Sequence, residues 1–269
     1  MKRKVLSVIM TGAMVAGLAG TVTVHAEEQQ TYNIGICQLV QHEALDAATE
    51  GFKDAVKEGL GEENVTFDEQ NAQGDSNTCS TIINSFVSEG TDLILANATA
   101  ALQAAQAGTS DIPVLGTSVT EYGVALGIDD FNGTVGNNIS GTSDLAPIEE
   151  QEAMLKELFP DVKQVGLLYC SAEANSLYQI QLFEAALDKD GIAYKEYAIA
   201  DTNEVQSVTT AAAGECDVLY IPTDNTLASV TETVYNVVAP AKVPVIAGEE
   251  GICNGCGVAT LSISYYDLG

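Results

Sequence analysis

The side chains best placed to do chemistry sit in two turns built to one plan. Asp217-Val218-Leu219-Tyr220-Ile221-Pro222-Thr223-Asp224-Asn225-Thr226 is an apolar run that ends abruptly in small polar residues. Asp92-Leu93-Ile94-Leu95-Ala96-Asn97-Ala98-Thr99-Ala100-Ala101 repeats it: an acid, an apolar run, then a hydroxyl-bearing turn leading into an alanine-rich stretch. Apolar runs of this length bounded by turn residues read as parallel strands covered on both faces. The polar turns then fall at the carboxyl ends of the strands, where open α/β sheets bind ligands. Thr99, opening a helix directly after its strand, offers a hydroxyl and uncapped backbone N–H groups to an anion. Asp224, in the matching turn, suits an ammonium group. Each could instead cap its own helix, since Thr and Asp are ordinary capping residues.

The elements around these turns recur as well. Ile34-Gly35-Ile36-Cys37 matches Val165-Gly166-Leu167-Leu168, and Ile112-Pro113-Val114-Leu115 matches Val243-Pro244-Val245-Ile246. The offset is roughly 130 residues, far longer than the periods of about 20 to 50 residues seen in solenoids. Two similar halves predict two doubly wound, parallel-sheet α/β lobes with a cleft between them. The divisions expected are 1–26 as a signal peptide, 27–31 as a polar leader, 32–140 and 141–264 as the lobes, and 265–269 as the start of a return to the first lobe. The signal peptide is read from the basic Lys2-Arg3-Lys4, the apolar stretch that follows and the small residues of Val24-His25-Ala26. Thr21 stands where a lipoprotein would carry cysteine, so no lipid anchor is expected.

Composition removes several classes of function. The chain has 10 Lys and Arg against 38 Asp and Glu, a formal net charge of −28. Beyond residue 26 there are seven Lys, no Arg, and His42 as the single histidine. That balance argues against nucleic acid and anionic membrane surfaces. No bidentate arginine clamp can form, and no zinc site built on two or three histidines. No metal and no cofactor are expected. A Ser-His-Asp triad would have to use His42, and no serine stands in a Gly-x-Ser-x-Gly context. An enzyme would have only Glu173, Asp224, Glu249 and Glu250 as acids or bases. Of the six cysteines, Cys37 and Cys170 read as small core residues on matching strands, too far apart to pair. Cys253-Asn254-Gly255-Cys256 reads as an Asn-Gly turn holding a local disulfide or two free thiols.

Periodicity places helices at 43–60, 76–89, 99–107, 147–159, 177–189, 204–213 and 227–239, with Asp75 or Ser76 capping the second. Strands are expected at 32–39, 65–69, 92–97, 112–117, 165–169, 193–198, 217–222 and 243–247, with a last one at 258–263. Between 119 and 147 the alternation lapses into Gly, Asn, Asp, Thr and Ser, a composition suited to a hinge.

Further stretches carry a resemblance: Ile34-Gly35-Ile36 with His42-Glu43-Ala44-Leu45-Asp46, Ala98-Thr99-Ala100-Ala101-Leu102-Gln103, Gly141-Thr142-Ser143-Asp144, Glu173-Ala174-Asn175-Ser176 and Thr223-Asp224-Asn225. From the first strand onward the chain resembles the tryptophan/tyrosine-type solute-binding proteins of ABC transporters, two-lobed proteins of the type I periplasmic-binding kind. The resemblance implies capture of an amino acid, aromatic in character, delivery to a membrane permease, and a monomer. It implies ligand contacts at Thr99, Ala100, Asp144, Asn175, Ser176, Asp224 and Asn225. The turn positions add Gln38, Ser118 and Thr223 as candidates. Glu43 and Ala100 stand where that family usually has proline, and Cys170 where it usually has asparagine. Relatives continue past Gly269 into a further helix. Other small solutes, such as a sugar or nucleoside, and a sensory ligand-binding module are the alternatives. The lack of Trp counts against stacking on a sugar ring.

Overall fold

The computed structural model describes residues 30–269, so the expected signal peptide and the start of the polar leader lie outside the described residues. The chain begins with β1 (Tyr32–Gln38), α1 (Glu43–Leu60), β2 (Val65–Asn71), α2 (Ser76–Glu89), β3 (Leu93–Asn97), α3 (Thr99–Gly108), β4 (Val114–Val119), α4 (Tyr122–Leu126) and β5 (Ile139–Ser143). It continues with α5 (Ile148–Leu158), β6 (Gln164–Cys170), α6 (Ala174–Asp190), β7 (Ala193–Ile199), α7 (Val205–Glu215), β8 (Val218–Ile221), α8 (Asn225–Ala228) and α9 (Thr231–Ala241). The last elements are β9 (Val245–Ala247), α10 (Glu250–Cys256), β10 (Ala259–Thr260) and α11 (Tyr265–Leu268). The strands form two five-stranded parallel sheets, ordered β2-β1-β3-β4-β5 and β7-β6-β8-β9-β10. The two orders correspond strand for strand, so the repeat in sequence is a repeat in topology.

Both sheets are covered on two faces because successive strand residues point opposite ways. In β1, Ile34 and Ile36 pack with Phe52 of α1, while Cys37 joins the cluster of Ile83, Phe86 and Leu102 on the other face. Gly35 lies under Phe86, whose ring would stand 2.6 Å from an added Cβ. In β6, Val165, Leu167 and Tyr169 face Phe183 of α6, and Leu168 and Cys170 face the side of α7 and α9. α2 starts at the Asp75 cap, whose carboxylate accepts from Thr78 N at 2.8 Å, and stops at Gly90 with φ +74°. A left-handed residue there closes the helix, and glycine adopts it without the Cβ clash. α11 returns to the first lobe and packs so tightly on α1 that a Cβ on Gly51 would stand 2.0 Å from Tyr266 O.

Several sequence-based expectations change. The region 119–147 is not wholly irregular: it holds α4 and the edge strand β5. All but the first residue of β5 are exposed, so no apolar run marks it. The expected helix 227–239 is two helices, α8 and α9, broken at Ser229 and Val230. α9 starts afresh at Thr231, whose side chain fills the space left by Gly255, 2.2 Å from where a Cβ would stand. The expected strand 258–263 shortens to two residues. Cys253-Asn254-Gly255-Cys256 is not a turn but the end of α10. Glu249 caps that helix, and Ile252 and Cys256, one turn apart, bury its inner face. All six cysteines are free thiols. The thiols that neighbour one another in the core are Cys37 and Cys79, brought together from β1 and α2.

Candidate functional site

The carboxyl ends of both sheets converge on one small cavity. It is lined from the first lobe by His42, Leu45, Ser118 and Thr120, by Asp144 directly after β5 and Tyr265 at the start of α11, and from the second lobe by Asn175, Thr223, Asp224, Asn225, Ala228 and Glu249. Its volume is about 10 Å³, enough for about one water. Asn225 also lines a larger opening of about 330 Å³ between the lobes, whose walls include Leu39, Val40, Ala100, Cys170 and Glu173.

Four buried polar atoms on the small cavity have no hydrogen-bond partner among the described residues: His42 Nδ1, Ser118 Oγ, Asp144 Oδ1 and Thr223 Oγ1. Leaving a buried polar group unpaired costs about 1 to 3 kcal/mol, and more when the group is charged. Four on one surface mark a place where a polar molecule supplies the missing bonds.

Backbone strain lies beside them. Ala98 has φ +94° and ψ 160°, a region nearly restricted to glycine, and Ser118 has φ +54°. Ala98 is the residue before α3 and provides no side-chain cap, although Thr99 and Ala101 behind it are buried. The N–H groups of that first turn are therefore free for an anion, in contrast to α2, α8 and α10, each capped by a carboxylate.

The sequence-derived candidates separate into those open to the cavities and those closed to them. Ser118, Asp144, Asn175, Thr223, Asp224 and Asn225 line the small cavity, and Ala100 the larger one. Thr99 is buried at the start of α3, away from both linings. Gln38 is occupied within the first lobe: its Nε2 donates to Val40 O and Asp46 Oδ1, and its Oε1 accepts from Thr49 Oγ1 at 2.6 Å. Ser176 is fully buried and donates to Asp224 Oδ2 at 2.8 Å.

Asp224 itself is well provided for. Its Oδ2 also accepts from Cys170 N at 2.6 Å, and its Oδ1 accepts from Leu227 N at 2.8 Å as the cap of α8. Asp144 is different: Oδ2 accepts from Tyr265 OH at 2.9 Å, whereas Oδ1 is unpaired. Glu249, one of the acids singled out in the sequence, lies on the cavity, and His42 and Tyr265 join it although the candidate set omits them. His42 carried a usable signal as the lone histidine beyond residue 26, placed in a polar turn after β1.

The carboxylates resist ionisation. Burial, with the Glu173 charge second, pushes Asp224 up to about 7; burial likewise pushes Glu249 up to about 7 and raises Asp144. A carboxyl group raised on folding binds its proton more tightly in the folded chain than in the unfolded one. Its stabilising contribution is complete below the unfolded value of about 4 and declines as pH rises through the folded value. The ligand-free protein therefore melts at a higher temperature at pH 5 than at pH 7.5. Asp224→Asn flattens that difference in a thermal denaturation series; an unchanged slope would remove Asp224 as a source of it.

A low-volume cleft lined from both lobes, at the carboxyl ends of two matched parallel sheets, is a place for a small solute. Comparison with known proteins gives the same answer. Residues 33–269 match the family model described as ABC transporter substrate binding protein. The chain belongs to that family. Over 99% of its length, and 81% of the relative's, this substrate-binding protein is 35% identical to the tyrosine-binding protein of Clostridioides difficile strain R20291. It superposes with a TM-score of 0.85 and 32% identity on the ABC domain from Streptococcus pneumonia in complex with L-Trp, covering 89% of this chain and 81% of that one. Against the ligand-free, open structure of a substrate binding protein with adhesive properties from Clostridium difficile the score is 0.61, with 37% identity and coverage of 88% and 81%. The score is thus higher, at lower identity, against the relative in complex with L-Trp than against the ligand-free, open one. The architecture is of the type I periplasmic-binding kind.

Proposed function

We propose that this protein captures an amino acid with an aromatic side chain between its lobes, outside the cytoplasmic membrane, and presents it to the membrane permease of an ABC importer. The observation that carries the reading is the set of four unpartnered polar atoms, contributed by both lobes and a crossing segment, on one enclosed surface. A zwitterion satisfies them: its ammonium lies against Asp144 Oδ1, and its carboxylate against the free N–H groups of α3 and the Ser118 hydroxyl. The resemblance to tyrosine- and tryptophan-binding relatives supports an aromatic side chain. The adjoining opening of about 330 Å³, with Leu39, Val40, Ala100 and Ala172 in its walls, has the size and apolar content to receive one. The candidates Thr99, Ala100, Asn175, Ser176, Thr223, Asp224 and Asn225 form the surroundings of this site, with Gln38 bracing its first-lobe wall.

The small cavity is too tight for an amino acid as it stands, so the solute enters an opened form and the lobes close on it. We read the segments 144–147 and 261–264 as the crossings about which they turn. Reciprocally, a ligand that touches both lobes favours the closed form by its differential affinity. No catalytic step is invoked. Glu173, Asp224 and Glu249 hold backbone N–H groups at helix starts rather than standing free as acid and base.

Calorimetric titration with each of the twenty amino acids tests the reading. Saturable micromolar binding of tyrosine, tryptophan or phenylalanine is expected, which corresponds to about 8 kcal/mol. Silence with all twenty would overturn it and leave the two-lobed architecture standing.

A further inference from the structure

His42 lies at the N-terminus of α1 and reaches across to the second lobe, where its Nε2 is 3.2 Å from Asn225 Oδ1. The Asn225 amide cannot be turned around without loss, because its Nδ2 donates to Glu173 Oε2 at 2.7 Å. Glu173 is fixed in turn by Asn225 N, Thr226 N, Thr226 Oγ1 and Asn175 Nδ2. The oxygen of Asn225 therefore faces the ring, and Nε2 must carry the proton that donates to it. In a neutral imidazole the other nitrogen is then a lone-pair acceptor. That nitrogen, Nδ1, is buried, unpartnered and on the wall of the small cavity. Burial favours the neutral ring by lowering its pKa, against the opposing pull of Asn225, Glu173 and Asp46.

We propose that His42 is a specificity-determining residue of the solute site: Nε2–H ties the two lobes together through Asn225, while Nδ1 accepts an N–H from the ligand and so selects a primary ammonium group. The assignment rests on the amino-acid reading above and extends it. An ammonium carries three donors. Asp144 Oδ1, His42 Nδ1 and the Thr223 hydroxyl supply three acceptors that have no other partner among the described residues. A ligand with a fully methylated nitrogen has no N–H to give and leaves Nδ1 unpaired. An ionised carboxylate oxygen presented there has no proton to give and sets lone pair against lone pair.

Two variants separate the functions of the ring. His42→Gln keeps an N–H near the Nε2 position for Asn225 but removes the acceptor; His42→Asn places an amide oxygen near the Nδ1 position and gives up the bond to Asn225. At pH 7.5, His42→Gln is expected to lose roughly 10- to 150-fold in affinity for the amino acid that wild type binds, the range for a hydrogen bond to a charged group. His42→Asn is expected to lose less, and the N,N,N-trimethyl form of that amino acid to bind neither wild type nor variant. Binding by His42→Gln equal to wild type, or a larger loss in His42→Asn, overturns the proposal.

A second measurement needs neither a variant that folds nor a bound solute. Nitrogen-15 spectra of the ligand-free protein, with His42 distinguished from His25, are expected to show a neutral His42 ring protonated at Nε2. A ring protonated at Nδ1, or an imidazolium at pH 7.5, overturns the proposal whatever the titrations show. If none of the twenty amino acids binds, the amino-acid reading fails by itself, and the ring spectra still decide the assignment of His42.

Discussion

Asp144→Asn will weaken amino-acid binding by roughly 10- to 150-fold while leaving the ligand-free protein as stable as wild type or more so. The binding loss follows from the one carboxylate oxygen on the cavity that has no partner of its own. A charge-assisted hydrogen bond contributes about 1.5 to 3 kcal/mol, and each 1.36 kcal/mol is a factor of ten. In the variant the amide oxygen can take over the bond from Tyr265 OH, which turns the NH₂ toward the ammonium and sets donor against donor. The stability result follows from burial. Asp144 is 3% exposed, burial raises its pKa, and no cation among the described residues faces it. Removing a buried charge that lacks a counter-ion relieves a desolvation penalty. Paired calorimetric and thermal measurements decide the matter: a melting temperature that falls in step with affinity would mean that Asp144 braces the crossing segments through Tyr265 and does not read the ligand.

Phe183→Ala will lower stability by about 3 to 5 kcal/mol, the range for truncating a buried phenylalanine. At about 2 to 4 °C per kcal/mol for domains of 150–250 residues, the melting temperature should fall by roughly 6 to 20 °C. Phe183 is fully buried and stacks on Tyr220, with ring centroids 3.6 Å apart and planes 9° from parallel. Tyr220 in turn donates to Gln151 Oε1 at 2.7 Å, and Gln151 Nε2 reaches Gly248 O and Leu261 O. The stack thus supports α5, β8 and the segment that leaves the second lobe. Gly248 has no room to give, since a Cβ there would stand 2.5 Å from Thr223 N. Disturbing the stack therefore loosens the turn that carries Thr223. A fall of less than about 1 kcal/mol in chemical denaturation would show that the second lobe repacks around the missing ring.

Much of this protein is legible in its sequence because strands and caps are local devices. Asp92 to Asn97 and Asp217 to Pro222 announce parallel strands by their own composition, and Asp75 and Gly90 announce the ends of α2. Their recurrence in two halves is enough to give two matched α/β lobes with polar turns at the carboxyl ends of the strands. The same local rules missed β5, whose exposed Ser-Gly-Thr-Ser composition gives no apolar signal, and read a turn into Cys253-Asn254-Gly255-Cys256. There the Glu249 cap and the burial of Ile252 and Cys256 outweigh the Asn-Gly preference.

The sequence by itself determined the lobes, the alternation of strands and helices within each repeat, and a chemistry limited to hydroxyls, amides and carboxylates by the scarcity of Arg and His. Only the tertiary structure decided which of those groups are free. Gln38 and Asp224 are of a type to bind a ligand, yet their atoms are held by Thr49 and Asp46, and by Cys170, Ser176 and Leu227. Asp144 and His42 keep one unpaired atom each because their partners, Tyr265 and Asn225, arrive from elements 121 and 183 residues away. The reason is physical. Periodicity and capping act over one or two turns of chain, whereas the satisfaction of a buried polar atom depends on which distant segment packs against it, and no local pattern encodes that.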